Sequence, residues 1–435
     1  MGATAPHEQL LVRAAMPLHL PTIILAAVPY FFLLMAVEFL VAVYRERKVY
    51  RLNDTVSSVS MGICSRLTGI WAASARVFPY MYIRTHYGFF LGNEDVEYGW
   101  GVWLATLILL DFCYYWFHRL AHECNTLWAG HIVHHSSQEY NLSTALRQGS
   151  WQGATSWIFY LPLALFAPLD VFLFHDQWNA LYQFWIHTRL IDRLPSVVEY
   201  WFNTPSHHRV HHGRNAQYID KNYGGTLIIW DRLFGTFEPE GETVVYGVTH
   251  DLGTWDTLYL QTHHWAEMWQ TVCATPSWID KVRVFIDLGP GYNYCTLYPD
   301  LVANPPPPIT PAREVKYDSR PWNGVMTVYV TLHTVAFLAA SLIMLLAPAG
   351  TYDIVNGSLL ILMGMWTVAA IFDRKPYATI MELARLILIA ASSLFHAAIY
   401  PLPSLALLAS GAAVIVYNRP NPWQGKTKRG KAKRA

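Results

Sequence analysis

The chain has 435 residues, of which 53% are hydrophobic and only 14% are charged. That composition is too apolar for an ordinary soluble enzyme of this length, so it favours an integral membrane protein. The formal net charge of +1 gives no indication of nucleic-acid binding.

Nine apolar runs have close to the length that a helix needs to cross roughly 30 Å of hydrocarbon. They lie at Leu18–Tyr44 and near residues 56–75, 99–117, 153–170, 171–190, 324–348, 354–372, 380–399 and 402–418. The predicted fold is therefore an all-α integral membrane protein with about nine transmembrane helices. The pair within 153–190 leaves an alternative, because Pro162 and Pro168 could bend this stretch into a partial hairpin instead of two full crossings.

The distribution of lysine and arginine predicts the orientation, because cytoplasmic loops retain these residues. Arg45, Arg47, Lys48 and Arg51 crowd the loop after the first run, and seven Lys or Arg residues lie in the tail 419–435. Nine crossings then place the N-terminus in the lumen and the C-terminus in the cytosol. The tail is either a basic segment attracted to anionic lipid or, since it ends in K-x-K-x-x, a sequence resembling a retrieval signal for the endoplasmic reticulum membrane.

Charged sequence rich in proline and glycine interrupts the apolar runs between about residues 191 and 322 and predicts a water-facing block. Pro305–Pro308 predict an extended linker after it. We therefore expect N-terminal spans at 1–98, a catalytic domain with a cytosolic cap at 99–322, a four-span region at 323–418 and a basic cytosolic tail at 419–435.

Eleven of the 19 histidines fall between His118 and His212, and most of them form three boxes. The boxes comprise His118 and His122; His131, His134 and His135; and His208, His211 and His212. Positions i, i+3 and i+4 share one face of a helix, so each box can aim two or three imidazoles at one point. Imidazole is a ligand for iron, zinc or copper, and eight of them exceed what one metal ion accepts. The boxes therefore predict two metal ions.

Three further residues have open roles. His187 is either a ninth ligand or a hydrogen-bonding core residue, and we favour the ligand. His207 lies one residue off the face shared by the third box, and its role stays open. Glu123, next to His122, is a candidate catalytic residue that orients an imidazole or acts as a general acid or base, and the alternative is a surface glutamate.

Other metal chemistries fit less well. The sequence after His122 excludes an H-E-x-x-H zinc hydrolase, and the Glu-x-x-His pairs of soluble carboxylate di-iron bundles are absent from the sequence. A metal transporter would distribute histidines along the spans, whereas here they cluster at span ends and in the water-facing block. A catalytically inactive scaffold is disfavoured because every box is intact.

The spacings H-x3-H, H-x2-HH and H-x2-HH resemble the fatty acid hydroxylase and sterol desaturase superfamily of membrane di-iron oxygenases. Longer stretches at 134–148, 203–215 and 220–237 are similar to the branch of that superfamily that oxidises O-alkylglycerols. The resemblance implies an enzyme of the endoplasmic reticulum that uses O2, iron bound by the box histidines and tetrahydrobiopterin. Its lipid substrate would be hydroxylated at the ether-bonded carbon, and the hemiacetal would break down to a fatty aldehyde and a glycerol derivative.

The resemblance also implies that the acid at the position of Glu123 is needed for activity. The boxes alone leave a rival within the superfamily, namely a sterol or fatty acyl hydroxylase or desaturase that takes electrons from cytochrome b5. The oligomeric state and the pterin-binding residues have no signal in the sequence.

Overall fold

The computed structural model describes residues 23–303, 309–317, 324–346 and 351–395. Within these ranges the chain is helical, as the apolar runs predict, and β-structure is limited to two isolated bridges that join Phe202 to Leu227 and Gly213 to Tyr246. The chain divides into two compact units, the first of which ends at Tyr317.

The described residues of the first unit form α-helices joined by short connections. In chain order these are α1 (Ile23–Tyr44), α2 (Leu52–Tyr87), α3 (Glu94–Glu97), α4 (Trp100–Glu123), α5 (Asn125–His135), α6 (Gln152–Ser156), α7 (Leu169–Ile186), α8 (Ser196–Trp201), α9 (Pro205–His211), α10 (Ile229–Phe234), α11 (Thr257–Ala274), α12 (Trp278–Ile286), α13 (Gly289–Leu297) and α14 (Pro299–Ala303). Short 3-10 helices cover Thr144–Leu146, Trp157–Leu165 and Pro311–Arg313. In the second unit the helices are α15 (Gly324–Leu346), α16 (Thr351–Phe372) and α17 (Ala378–Phe395).

Four of the described helices are long and apolar enough to cross a membrane, namely α1, α4, α15 and, from Asp353 onward, α16. The all-α membrane class is therefore confirmed, and the number of nine crossings stays a prediction. The run near 56–75 lies in α2, and the described part of the run near 380–399 lies in α17; neither helix is among these four. The run near 402–418 and the basic tail fall outside the described residues.

The stretch 153–170 does not form the continuous α-helix that a full crossing needs. The five residues of α6 give way to a nine-residue 3-10 helix that contains Pro162, and α7 begins only after Pro168. Proline lacks the N–H that an α-helix interior requires, which explains the break. The two helical pieces rise about 8 Å and about 18 Å, which together fall short of roughly 30 Å. The alternative of a partial hairpin fits the structure better.

A single residue separates the two helices that carry the first two boxes. Helix α4 ends at Glu123 and α5 begins at Asn125, while Cys124 between them has extended backbone angles, φ −116° and ψ 126°. This interruption lets α5 pack back against α4. The rings of His122 and His131 consequently lie 5.2 Å apart, centroid to centroid.

Apolar residues interleaved with the box histidines anchor the boxes in the core. Ile132 and Val133 pack into a cluster with Met61, Val248 and Leu260. Val210, inside the third box, packs into another cluster with Tyr140, Tyr218, Val244 and Tyr246. Complete burial of such an aliphatic side chain contributes about 1.5–3 kcal/mol, which holds the backbone of the second and third boxes in place.

Candidate metal centre

Nine histidines converge in two groups, and within each group one nitrogen from every ring lies within 4.8 Å of the others. The five-histidine group comprises His118, His122, His131, His135 and His211. The four-histidine group comprises His134, His187, His208 and His212. These are the nine residues that the sequence singled out as ligands, including His187.

The second and third boxes are each divided between the two groups. His131 and His135, four residues apart, share the five-histidine group, while His134 belongs to the other. In the third box His208 and His212 share the four-histidine group, and His211 belongs to the other. Each of these two boxes therefore aims two of its three imidazoles at one group, as the sequence predicts, and its third imidazole at the other group. Residues i and i+4 differ by about 40° around a helix, whereas adjacent residues differ by about 100°, which explains the division.

Hydrogen bonds fix the orientation of most of these rings. The Nδ1 atoms of four rings lie close to backbone carbonyl oxygens: His118 to Tyr223 at 2.7 Å, His134 to Arg147 at 2.9 Å, His187 to Gln183 at 2.7 Å and His211 to Lys221 at 3.0 Å. Nδ1 of His131 lies 3.0 Å from Oε1 of Gln152. A carbonyl oxygen only accepts, so Nδ1 of those four rings carries the proton and Nε2 is left with its lone pair.

The Nε2 atoms crowd together, and in the pair His134 and His187 neither nitrogen has a proton to share, because both rings carry it on Nδ1. Nε2 of His131 lies 3.0 Å from that of His118 and 3.1 Å from that of His135. In the other group, Nε2 of His187 lies 3.3 Å from that of His134 and 3.1 Å from that of His208. Lone pairs that face one another at this range in a buried site need a cation between them. The donor set therefore fits a metal ion in each group.

Burial keeps the imidazoles outside the membrane helices neutral. Burial and the neighbouring His122 lower the pKa of His131 to about 3, and burial lowers the pKa of His187 to about 4. Burial and the adjacent imidazoles hold the pKa of His134, His208 and His212 well below its usual value. Neutral imidazole is the form that ligates a metal, so the site is ready to bind at neutral pH.

Two buried aspartates, which sequence reasoning missed, support the loop that carries Tyr223. Asp231 accepts the backbone N–H groups of Tyr223 and Gly224, both at 2.7 Å. Asp111, on α4, accepts the backbone N–H groups of Thr226 at 2.8 Å and Leu227 at 3.0 Å. The signal for Asp111 was a lone acid inside an apolar run. Through this loop the carboxylates hold the carbonyl oxygen that orients His118.

His207 lies outside both groups. Its Nδ1 is 3.3 Å from the Thr204 hydroxyl, and its Nε2 is 3.6 Å from the Glu199 carboxylate. Glu123 accepts from Nε of Arg119 at 2.9 Å, one turn back on α4, and its side chain is 43% exposed. The carboxylate nearest to His122 is instead that of Asp220, with Oδ1 3.6 Å from Nδ1.

A cavity of about 280 Å³ lies beside the five-histidine group. His122, His135 and His211 contribute to its wall, together with His212 of the four-histidine group. Trp128 and Ile132 of α5 and Val248 provide apolar surface. A small molecule in this cavity would therefore lie directly against the histidines.

Comparison with known proteins identifies the class. The fatty acid hydroxylase family model matches residues 103–236, a range that contains all nine histidines of the two groups. Alkylglycerol monooxygenase of Homo sapiens is 41% identical over 368 residues, covering 84% of this chain and 81% of that protein. The proteins of that name from Xenopus tropicalis and Danio rerio are 41% and 40% identical, covering 85% and 89% of this chain and 81% and 85% of their own lengths. No solved structure is significantly similar to the chain.

The fold, the histidine groups and the matched region define a membrane oxidoreductase of the fatty acid hydroxylase class. The three relatives assign the chain to one family within this class, because each is similar over most of its own length and over most of this chain. The chain belongs to the alkylglycerol monooxygenase family.

Proposed function

We propose that the protein is a monooxygenase that hydroxylates the ether-linked carbon of O-alkylglycerols, with two iron ions and tetrahydrobiopterin as cofactors. One oxygen atom of O2 enters the C–H bond next to the ether oxygen, and the other leaves as water with two electrons and two protons from the donor. The resulting hemiacetal breaks down to a fatty aldehyde and a glycerol derivative. The observation that carries the proposal is the pair of all-histidine groups in a chain with these relatives.

Each histidine group would hold one iron. Iron with O2 and a two-electron donor supplies an oxidant strong enough for an unactivated C–H bond, which acid–base catalysis alone does not attack. The chain's own residues hold the ligating nitrogens in place. Backbone carbonyls fix the tautomers of His118, His134, His187 and His211, and all four side chains are buried.

Glu123 is proposed to act in proton transfer or in orienting His122. It follows His122 directly and ends α4, while its carboxylate is paired with Arg119. The side chain is partly exposed and is paired with Arg119. It would therefore have to leave Arg119 to reach the site.

We place the site at the cytosolic face of the endoplasmic reticulum membrane, with the N-terminus in the lumen. Arg45 and Arg47, in the basic loop after α1, donate to the carbonyl oxygens of Leu190 at 3.2 Å and Arg189 at 3.1 Å. These acceptors follow His187 by three and two residues. The basic loop therefore lies close to the histidine-bearing segment, and a cytosolic loop implies a cytosolic site.

Purified protein tests the proposal directly. We expect two tightly held irons per chain and turnover of 1-O-hexadecylglycerol with tetrahydrobiopterin, detected as hexadecanal. Turnover only with reduced cytochrome b5 would instead favour a sterol or fatty acyl enzyme of the same class. Loosely exchanging metal, with metal uptake into vesicles, would overturn the enzyme in favour of a transporter.

A further inference from the structure

The cavity beside the five-histidine group has a second set of polar side chains, none of which belongs to a histidine box. It consists of Glu267 and His264 on α11, His250 in the preceding loop and Asn293 on α13. Oε2 of Glu267 lies 3.3 Å from Nδ1 of His264, and Oε1 lies 3.7 Å from Nε2 of His250. We call these four residues the carboxylate cluster.

Asn125 ties the carboxylate cluster to the helix that carries the second box. Nε2 of His264 lies 3.0 Å from Oδ1 of Asn125, and Nδ2 of Asn293 lies 3.2 Å from the same oxygen. Nδ2 of Asn125 donates in turn to the carbonyl oxygen of Val284 at 2.8 Å. Asn125 is the first residue of α5, which ends at His135. One short helix, α5, thus fixes the position of the cluster relative to the five-histidine group.

Glu267 is a charged acceptor at the cavity wall. Burial alone would raise the pKa of its carboxyl group, but the interactions with His250 and His264 outweigh burial and lower that pKa to about 2. The side chain keeps 15% of its surface exposed. A carboxylate offers about four lone-pair sites, so two imidazole contacts leave acceptor capacity for a bound molecule.

The set of ligand atoms argues against a third metal site. A metal site needs at least three His, Cys, Asp or Glu residues whose ligand atoms all lie within 4.8 Å of one another. Among the described residues the two histidine groups meet this criterion, and the carboxylate cluster does not. An anionic ligand is disfavoured by the Glu267 charge. What fits is an uncharged group with adjacent hydroxyl donors, because carboxylate oxygens accept such bonds strongly. Asn293 keeps a second N–H and an oxygen lone pair beyond its bonds to Asn125.

We propose that the carboxylate cluster binds the two free hydroxyls of the substrate's glycerol headgroup, with Glu267 as the principal acceptor. The inference rests on the proposed function and names the headgroup subsite of the same cavity. In a 1-O-alkylglycerol these hydroxyls sit on the other two glycerol carbons, which are adjacent to each other, so one small cavity can hold both hydroxyls while the ether-linked carbon of the alkyl chain faces the histidines. The cavity volume of about 280 Å³ is just below the roughly 300 Å³ lower end for small-molecule sites, which suits a headgroup and not a whole alkyl chain.

The test measures kcat/KM of wild-type and variant proteins on two substrates that differ by one hydroxyl. Wild-type protein should prefer 1-O-hexadecylglycerol over 3-(hexadecyloxy)propan-1-ol, which lacks the central hydroxyl, by about 10- to 100-fold in kcat/KM, as expected for a lost hydrogen bond to a charged group. Glu267→Gln should reduce that preference to less than about threefold, mainly through KM, and Glu267→Asp should restore part of it. Gln270→Ala, on the exposed side of α11, is the matched control and should keep the wild-type preference.

Two outcomes of this cross would overturn the inference. An equal loss on both substrates in Glu267→Gln would mean a structural role only. A raised KM for tetrahydrobiopterin with the hydroxyl preference intact would mean that the cluster serves the cofactor.

A binding measurement separates this inference from the proposed function. Binding of 1-O-hexylglycerol to the iron-free protein, followed by calorimetry, should weaken at least tenfold in Glu267→Gln and remain unchanged in Gln270→Ala. Such a result without any turnover by the iron-loaded wild type would leave the headgroup subsite standing and reject the monooxygenase assignment. Equal affinity in Glu267→Gln and wild type would reject the subsite, even in an active enzyme.

Discussion

His134 and His135 are consecutive in the chain, yet their imidazoles belong to different histidine groups. The two rings are 5.5 Å apart and almost perpendicular, with an interplanar angle of 87°. His134 joins a group of four and His135 a group of five. We therefore expect the loss of His134 and the loss of His135 to change the metal content differently.

His134→Ala should lower the iron content from about two to about one per chain, because only three ligands remain in its group. His135→Ala leaves four ligands in the other group and should retain more iron. Both variants should lose at least about 100-fold in turnover, since each removes a ligand. Iron measured by mass spectrometry and the alkylglycerol assay check this.

His207→Ala is the control for the ligand series, because His207 precedes His208 but lies outside both groups. It should keep two irons per chain, whereas His208→Ala should not. Full activity in His134→Ala, or equal iron loss in His207→Ala and His208→Ala, would contradict the assignment of ligands.

Asp231→Asn should impair the site without touching a histidine. The amide nitrogen of Asn would face a backbone N–H of Tyr223 or Gly224, so the loop would shift and carry the Tyr223 carbonyl away from His118. Loss of such outer support typically costs about 10- to 100-fold in activity or metal affinity. Asp287→Asn, at the exposed end of α12, should behave like wild type, and the same loss in both variants would refute the role of Asp231.

Acid should destabilise the iron-free wild type more than iron-free Glu267→Gln. The folded-state pKa of Glu267, about 2, lies below the ordinary value of 4.5, so the ionised form stabilises the fold above pH 4.5 and that contribution is lost as the pH falls toward 2. Between pH 4.5 and 3 the wild type should therefore lose about 1.5 kcal/mol more unfolding free energy than Glu267→Gln. Denaturant titrations at several pH values measure it, and parallel pH profiles of the two proteins would contradict it.

In the second unit, Arg385→Met should be strongly destabilising. Nε of Arg385 donates to Glu382 at 2.8 Å, Nη2 lies 3.2 Å from Nδ1 of His333, and the Arg385 and Glu382 side chains are each 1% exposed. Removing one partner leaves a buried charge, which typically costs about 3–5 kcal/mol. The thermal midpoint in detergent should fall accordingly.

The double variant Glu382→Gln/Arg385→Met should regain part of this loss, because it leaves no unpaired charge. Arg283→Met, which breaks an exposed pair with Asp287, should change the midpoint much less. A double variant less stable than Arg385→Met alone would contradict the pairing.

The sequence was sufficient for the all-α membrane class and for the choice of residues that converge, because apolar length and histidine spacing are local signals. His187 was predicted from its place at the end of an apolar run, and it does join a group. The division of the second and third boxes was missed, although the helical period separates adjacent histidines by about 100°. Which histidines then meet in one group depends on how α4, α5 and α9 are packed. The supporting carbonyls of Tyr223 and Arg147 were equally hidden, since every residue has a carbonyl and only the fold selects these two.

The carboxylate cluster could not be predicted from the sequence either. Neither His264 nor Glu267 belongs to a histidine box, and no spacing in the sequence marks either of them. Their partner Asn125 lies 139 residues before His264, so no local spacing could connect them. By contrast, the break at 153–170 was foreseeable from Pro162, whose missing N–H acts locally.

The division of the second and third boxes also determines how the two groups are spaced. His134 and His135 are joined by one peptide bond, and so are His211 and His212, and each pair has one member in either group. Covalent geometry at these two places therefore limits how far apart the two groups can lie. A shift of α5 or α9 would change the ligand positions of both groups at once, so neither group can be altered by such a movement without affecting the other.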